Sequence, residues 1–244
     1  MSLFLRSAAV SDQGVTRELN EDAAHAGTHL IAVADGIGGS PAGEVASEIA
    51  IKVLAALEAE GPRRVPLDHL RTAVAEANRL IRATVEDKPE LDGMGTTLTA
   101  MLLAGRRLGL AHVGDSRAYR LRHGKLDRLT KDDTYVQALV DRGAISADEA
   151  TRHPHKSLIL RAVQGEPINP VGSVLRPRRG DRFLLCSDGV SDVLDDVVIA
   201  ETLGAHAEPR ACGERLVAQA LAAGSRDNVT AVVADVSARG WLVR

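Results

Sequence analysis

Aromatic side chains are scarce in this chain: its 244 residues include two Phe, two Tyr and one Trp, 2% of the total. A core then has to be built from Val, Leu, Ile and Ala, which the 45% hydrophobic content supplies. Excess positive charge is missing as well, with a net charge of −3 and a pI of about 6.2. Without a basic balance or aromatic stacking residues, a nucleic-acid partner is disfavoured. The two cysteines, Cys186 and Cys212, lie far apart and form no CxxC pair. Neither a disulfide framework nor a zinc site is indicated, and a reduced, cytoplasmic setting fits. No stretch approaches the roughly 20 consecutive apolar residues of a membrane span, and the N-terminus has no signal-peptide core. The expectation is a soluble chain with no membrane segment, monomeric, in one domain spanning residues 1–244 without repeats or linkers.

What is present is a recurring carboxylate. Asp35-Gly36 ends the hydrophobic run from Leu30, Asp188-Gly189 follows Phe183 to Ser187, and Asp227-Asn228 precedes the run from Val229 to Val236. Delivered from strand ends to one point, three carboxylates make a cage for hard divalent ions, which take oxygen ligands and keep several waters. Glycine after aspartate lets the backbone turn sharply and bring its carbonyl close to an ion. The competing reading is that Asp-Gly is a common turn pair at strand ends. Two basic spots, Arg63-Arg64 and Arg176-Pro177-Arg178-Arg179, are short, lie beside proline and read as solvated loops. Eight scattered histidines lack metalloprotease spacing.

Periodicity predicts strands at Phe4–Val10 and His29–Ala34. Helices follow over 42–59, with the stripe Val45, Ile49, Val53, Leu54 and Leu57, and over 66–85, with Leu70, Val74, Ala77 and Ile81. Strand runs at 96–103, 107–113 and 117–122 read as an antiparallel meander. Residues 131–163 read as three short helices: one over 134–142, one opened by the capping box Ser146 to Glu149, and one over 157–163. This insertion is a candidate flap over a substrate. Strands at 171–175, 181–187 and 229–236, a helix over 209–223 and a tail at 237–244 complete an α+β order, two sheets with helices outside.

Taken together, Arg17-Glu18-Leu19-Asn20-Glu21-Asp22, Val33-Ala34-Asp35-Gly36-Ile37-Gly38-Gly39, Gly95-Thr96-Thr97, Val113-Gly114-Asp115-Ser116-Arg117, Leu185-Cys186-Ser187-Asp188-Gly189 and Asp227-Asn228-Val229-Thr230 resemble the metal-dependent type-2C Ser/Thr protein phosphatases. The six motifs occur in the family's order over essentially the whole chain. The bacterial branch, whose members oppose membrane Ser/Thr kinases, is the nearest match; a membrane segment carried by such full-length proteins is not found here, so the chain reads as an excised domain or a soluble relative. The resemblance implies a four-layer αββα sandwich, with two central antiparallel sheets flanked by antiparallel helices and a metal cleft at one end.

The resemblance also implies the site. Asp35 would bridge two Mn²⁺ or Mg²⁺ ions, with Asp188 and Asp227 on one and the Gly36 carbonyl on the other. Glu21, Asp22 and Asn228 would support these ligands from behind. A third ion would involve Asp115, Asp188 and the Ser157 carbonyl, with Asp132 either a further acidic contributor or a helix cap. Arg17 would clamp the substrate phosphate through its planar paired donors, the alternative being a surface ion pair. The activity would be hydrolysis of phosphoserine and phosphothreonine by a metal-bridging water or hydroxide, with Arg17, Asp35 and Asp188 catalytic and with phosphorylated proteins, including Ser/Thr kinases, as partners. A cysteine phosphatase is disfavoured, because position 192, where a Cys-x5-Arg loop starting at Cys186 would need arginine, is aspartate. One position departs from the pattern: Ile37 stands where many eukaryotic members carry a histidine general acid, leaving His153 or His155 as substitutes. Competing classes are a metal-binding pseudo-phosphatase that docks phosphoproteins, and another two-metal hydrolase such as a nuclease.

Overall fold

The scarcity of aromatic residues leads to a thin-layered architecture of small aliphatic side chains. The computed structural model describes residues 2–37, 42–59 and 65–238. Within them the chain runs through strands β1 (Leu3–Asp12), β2 (Asp22–Ala26) and β3 (Leu30–Ile37), then helices α1 (Ala42–Ala59) and α2 (Pro66–Asp87). Strands β4 (Gly95–Thr96), β5 (Leu98–Ala104), β6 (Arg107–Val113), β7 (Arg117–Arg122) and β8 (Lys125–Arg128) follow, and then the short helices α3 (Tyr135–Asp141) and α4 (Ala147–Thr151). Strands β9 (Val171–Leu175) and β10 (Arg182–Cys186), helices α5 (Asp188–Ser191), α6 (Asp196–Ala205) and α7 (Pro209–Ala222), and strand β11 (Val229–Ala238) finish the described fold.

All the strand pairs are antiparallel. One sheet has the order β1-β11-β10-β7-β8 and the other β2-β3-β5-β6-β9, with β4 paired to β3. Three apolar clusters fill the spaces between four layers. Between the sheets lie Leu5, Ile31, Val33, Met101, Phe183, Leu185 and Val232. Outside the second sheet, α1 and α2 bury Ala46, Ala50, Leu54, Leu70, Val74 and Ile81 against Ala32, Ala100 and Ala111. Outside the first, α5, α6 and α7 bury Val190, Ile199, Leu203, Leu216 and Ala220 against Leu184, Ala231 and Val233. The expected αββα sandwich is therefore present.

Several local expectations are corrected. The three middle strands do not form one meander: β7 pairs with β10 and β8, whereas β6 pairs with β5 and β9. The chain changes sheets at Gly114-Asp115-Ser116, where Gly114 has φ +99° and a Cβ would lie 2.7 Å from Thr97. Residues 157–163 are not helical, because their backbone bonds go elsewhere. Tyr135 N–H donates to Leu158 C=O at 2.8 Å, Leu160 N–H to Asp133 C=O at 2.8 Å and Val163 N–H to Thr96 C=O at 2.9 Å. On α1 the face turned fully inward is Ala46, Ser47, Ala50, Ile51 and Leu54; the larger Val45, Ile49, Val53 and Leu57 pack half-buried at its margin. Strand β11 continues to Ala238, so residues 237 and 238 are strand rather than the expected tail. Residues 239–244 lie outside the described residues, as do Gly38-Gly39, Pro62 and Arg63-Arg64.

Neither Asp-Gly pair is a turn with positive φ. Asp35-Gly36 is the end of β3 and Asp188-Gly189 opens α5. Their glycines are required by close approach instead: a Cβ on Gly36 would meet the Gly43 backbone at 2.4 Å, and one on Gly189 would meet the Asn228 carbonyl at 2.0 Å. Gly189→Ala is therefore expected to destabilise the fold by about 1–3 kcal/mol through overpacking. Gly204, in α6, is the contrast, because a Cβ there would have nothing within 4 Å. Gly204→Ala should be neutral or stabilising by up to about 1 kcal/mol. Urea denaturation of both variants checks the pair, and a Gly189→Ala protein of unchanged stability would contradict the packing argument.

Candidate active site

The carboxylates meet at one end of the sandwich, each carried there by the end of an element. Asp22 opens β2 and faces Asp35 across the β2–β3 ladder, where the two are register partners. Asp115 sits at the crossing between β6 and β7, Asp188 opens α5, and Asp227 precedes β11. Burial raises the Asp35 carboxyl well above the ordinary range, and the charges of Asp22, Asp188, Asp115 and Asp227 push it further. Asp188 is raised in the same way by burial, then by Asp115, Asp192, Asp227 and Asp22. Burial is also the leading cause for Asp22, pushed up to about 6, and for Asp115, pushed up to about 7. These shifts arise when like charges are held out of water within reach of one another.

The backbone around this cluster is closely fixed. Asp35 N–H donates to Thr97 Oγ1 at 3.1 Å, and Thr96 Oγ1 donates to Asp35 C=O at 2.9 Å. Thr97 Oγ1 in turn shares a hydrogen bond of 2.7 Å with Ser116 Oγ. Ser187 Oγ donates to Asp22 Oδ2 at 2.8 Å. The buried Asn228 uses its whole amide: Nδ2 donates to Gln13 C=O at 2.8 Å and to Leu19 C=O at 2.9 Å, while Oδ1 accepts from Glu21 N–H at 2.8 Å. It thereby ties the loop bearing Arg17 to the start of β11. Arg17 Nη2 pairs with Asp227 Oδ2 at 2.6 Å, and its Nη1 lies 4.0 Å from Glu21 Oε2. Its side chain remains 45% exposed, so the guanidinium stands at the rim.

These residues fit divalent cations. Glu21 Oε1, Asp22 Oδ1, Asp115 Oδ1 and Asp188 Oδ1 are buried without any hydrogen-bond partner, an arrangement that costs free energy unless something positive faces it. Among the described residues no three His, Cys, Asp or Glu side chains converge closely enough to hold an ion by themselves. Ions here would draw on water and backbone carbonyls too, as Mg²⁺ and Mn²⁺ commonly do.

Beside the carboxylates a cleft of about 290 Å³ is lined by Asp115, Asp132, Asp188, Asp192, Lys156 and Ser157, among others. Ser157 is exposed on its wall, in the segment 131–163. Asp132 is neither a helix cap nor free: Arg117 Nη2 pairs with it at 2.8 Å and Arg128 pairs with it as well, while Thr134 caps α3. His153 and His155 stack around Tyr135, with ring centroids 5.9 and 6.2 Å away, and neither lines this cleft. Asp192 was not anticipated as part of the site. Its place four residues after Asp188, one helical turn on, is the signal that could have found it, and Lys156 Nζ holds it at 2.7 Å. Cys186 is fully buried and its thiol is pushed up to about 12, which removes it as a nucleophile.

The raised carboxyl pKa values give a pH dependence with a definite sign. With no metal bound, the folded chain holds protons that the unfolded chain has already released between about pH 4 and about pH 7, so stability falls as pH rises through that window. Asp115→Asn should raise the melting temperature of the metal-free protein near pH 7.5 and flatten that fall. A lower melting temperature for the variant in thermal denaturation across pH would contradict the picture of an uncompensated carboxylate cluster.

The family model for "Protein phosphatase 2C" matches residues 15–223. The serine/threonine protein phosphatase PstP of Mycobacterium tuberculosis is 52% identical over 236 residues, covering 97% of this chain and 46% of that protein. This chain thus spans about half the length of that relative. The serine/threonine phosphatase stp of Listeria monocytogenes is 33% identical over 235 residues, covering 92% of this chain and 93% of that one. The crystal structure of a PstP catalytic domain in complex with two manganese ions superposes with a TM-score of 0.92 at 50% identity, covering 97% of this chain and all of that one. Sequence motifs, layered fold and carboxylate cleft agree with these likenesses, and the chain belongs to the protein phosphatase 2C family.

Proposed function

We propose that this chain is a metal-dependent phosphoprotein phosphatase acting on phosphoserine and phosphothreonine, in the manner of the bacterial relatives it matches. The observation that carries the reading is the buried cluster of Asp22, Asp35, Asp115 and Asp188, with its unpaired oxygens, lying beneath an exposed guanidinium. In this reading Asp35, Asp188, Asp227 and the Gly36 carbonyl hold two Mn²⁺ or Mg²⁺ ions, and Asp115, Asp188 and the Ser157 carbonyl are the donors for a third. Such ions supply Lewis acidity to the phosphate oxygens and lower the pKa of water toward neutrality.

The protein's own groups do the rest. Glu21, Asp22 and Asn228 fix the backbone and the carboxylates from behind. Arg17 offers paired donors to two phosphate oxygens, and its bond to Asp227 keeps it oriented until substrate arrives. Residues 131–163 form a flap whose inner wall, from Thr134 to Ser157, would contact the peptide around the phosphorylated residue. His153 and His155 pack on Tyr135 outside the cleft lining, and in this reading a water on the ions is the nearer proton source for the leaving group. Partners in this reading are phosphorylated proteins, including a Ser/Thr kinase and its targets.

Phosphate release from a phosphothreonine peptide should require added Mn²⁺ and be abolished in Asp188→Asn. Arg17→Ala should retain Mn²⁺ binding in calorimetry yet lose about 10- to 100-fold in kcat/KM, the scale of one or two charge-assisted hydrogen bonds. Retention of the wild-type rate by Asp188→Asn would overturn the assignment. Metal binding and phosphopeptide binding without any release would identify a docking module instead.

A further inference from the structure

At the far end of the sandwich from the carboxylates, a second cleft of about 530 Å³ is lined by Arg106, Arg107, Arg120, Arg122, Arg176, Arg178 and Pro177. Arg107 opens β6, and Val113 closes it next to Asp115. At about 3.4 Å per residue the strand separates the two clefts by about 20 Å. Six guanidinium groups in one concavity are unexpected in a chain with a net charge of −3. Carboxylates answer only part of that charge. Asp181, almost fully buried, receives Arg122 Nε at 2.5 Å and Nη2 at 2.6 Å and the Arg178 N–H at 2.7 Å. Asp127 pairs with Arg120 Nη2 at 2.6 Å and is shared with Lys125.

The remaining donors are uncommitted. The side chains of Arg106, Arg107, Arg176 and Arg178 are exposed and make no hydrogen bond or ion pair among the described residues. Arg120 Nε is buried with no acceptor. Rigid supports hold this charge in place: Arg120 and Arg122 sit on β7, and the buried Pro177 fixes the loop after β9. Like charges gathered on rigid elements repel one another, and an anion spanning them relieves that repulsion. Guanidinium groups match phosphate oxygens in pairs. The cleft volume falls within the range of about 300–1,000 Å³ typical of small-ligand sites. No aromatic or aliphatic side chain lines it to read a base or an acyl chain, Pro177 aside.

We infer that this arginine cleft is a second, non-catalytic site for a small oligophosphate, a linear anion carrying two or more linked phosphate groups. Recognition is of the phosphates alone, so pyrophosphate, tripolyphosphate and the phosphate chain of a nucleotide share the site. The assignment stands apart from the phosphatase reading, since it involves none of the same residues.

Calorimetric titration of the metal-free chain with tripolyphosphate, pyrophosphate and inorganic phosphate tests it. The expected result is one tripolyphosphate per chain, bound about tenfold or more tighter than inorganic phosphate. The double variant Arg107→Gln/Arg178→Gln, which removes exposed and unpaired side chains, should weaken tripolyphosphate by about tenfold or more. Arg17→Ala should bind as the parent does, as should Arg71→Gln/Arg79→Gln, which removes the same charge from α2. Equal affinity in the Arg107→Gln/Arg178→Gln variant would overturn the inference. So would equal loss in the α2 variant, which reports only the field of the whole chain, or loss in Arg17→Ala, which places the ligand among the carboxylates. Binding to phosphatidylglycerol vesicles by a protein that ignores tripolyphosphate would overturn it in favour of a membrane surface.

Discussion

Repulsion among buried carboxylates is the constraint that the rest of this structure answers to. Asp22, Asp35, Asp115 and Asp188 are held out of water near one another, and burial together with mutual charge drives their proton affinities upward. An arrangement of this kind persists only if the surrounding fold over-determines it. Here both sheets contribute: β2 and β3 fix Asp22 and Asp35 by ladder register, while the paired β10 and β11 fix the backbone just before Asp188 and just after Asp227. The three interlayer clusters of small aliphatic side chains supply the stability against which this local cost is set.

Close backbone approach is how the fold brings acidic groups together without widening the cleft. Gly36 lies against Gly43 of α1, and Gly189 lies against the Asn228 carbonyl. Each aspartate of an Asp-Gly pair is thus followed by the one residue that lets a neighbouring element sit directly behind it. Hydroxyl groups complete the backing, with Thr96, Thr97, Ser116 and Ser187 bonded to the aspartate backbones, to a carboxylate or to one another. The same economy shapes the inner face of α1, where Ala46, Ser47 and Ala50 lie beside Ile51 and Leu54 while Val45, Ile49, Val53 and Leu57 stay at its margin.

Much of this was legible in the sequence because hydrophobic runs ending in aspartate mark strand ends, and strand ends are where an antiparallel sandwich opens to solvent. Strands β6, β7 and β9 and helix α1 begin and end where the pattern placed them. Strand β2 was hidden because Asp-Ala-Ala-His-Ala has little strand propensity and is held by pairing with β3. Helix α6 was hidden by the β-branched run Val197-Val198-Ile199, which its Asp195 cap and burial override. The change of sheet at Gly114 leaves no local mark, since a turn between hairpin strands and a turn between layers use the same residues. Asp132 had the composition of a helix cap, but long-range pairing to Arg117 decided its role.

Strand β11 is the last described element in the chain, yet it is an interior strand, inserted between β1 and β10. Ten residue pairs join it to β1 across more than two hundred residues of sequence, from Leu3↔Ala238 to Asp12↔Val229. Contacts of such high sequence separation form late and slowly. During synthesis, then, the first sheet stays split, and Asp227 and Asn228 are missing from the carboxylate end, until β11 has left the ribosome. Before that point Arg17 has no Asp227 to pair with, and the Glu21 N–H has no Asn228 amide to receive it. A nascent chain short of β11 would therefore carry every earlier motif without an assembled carboxylate end, which closes only when that strand docks.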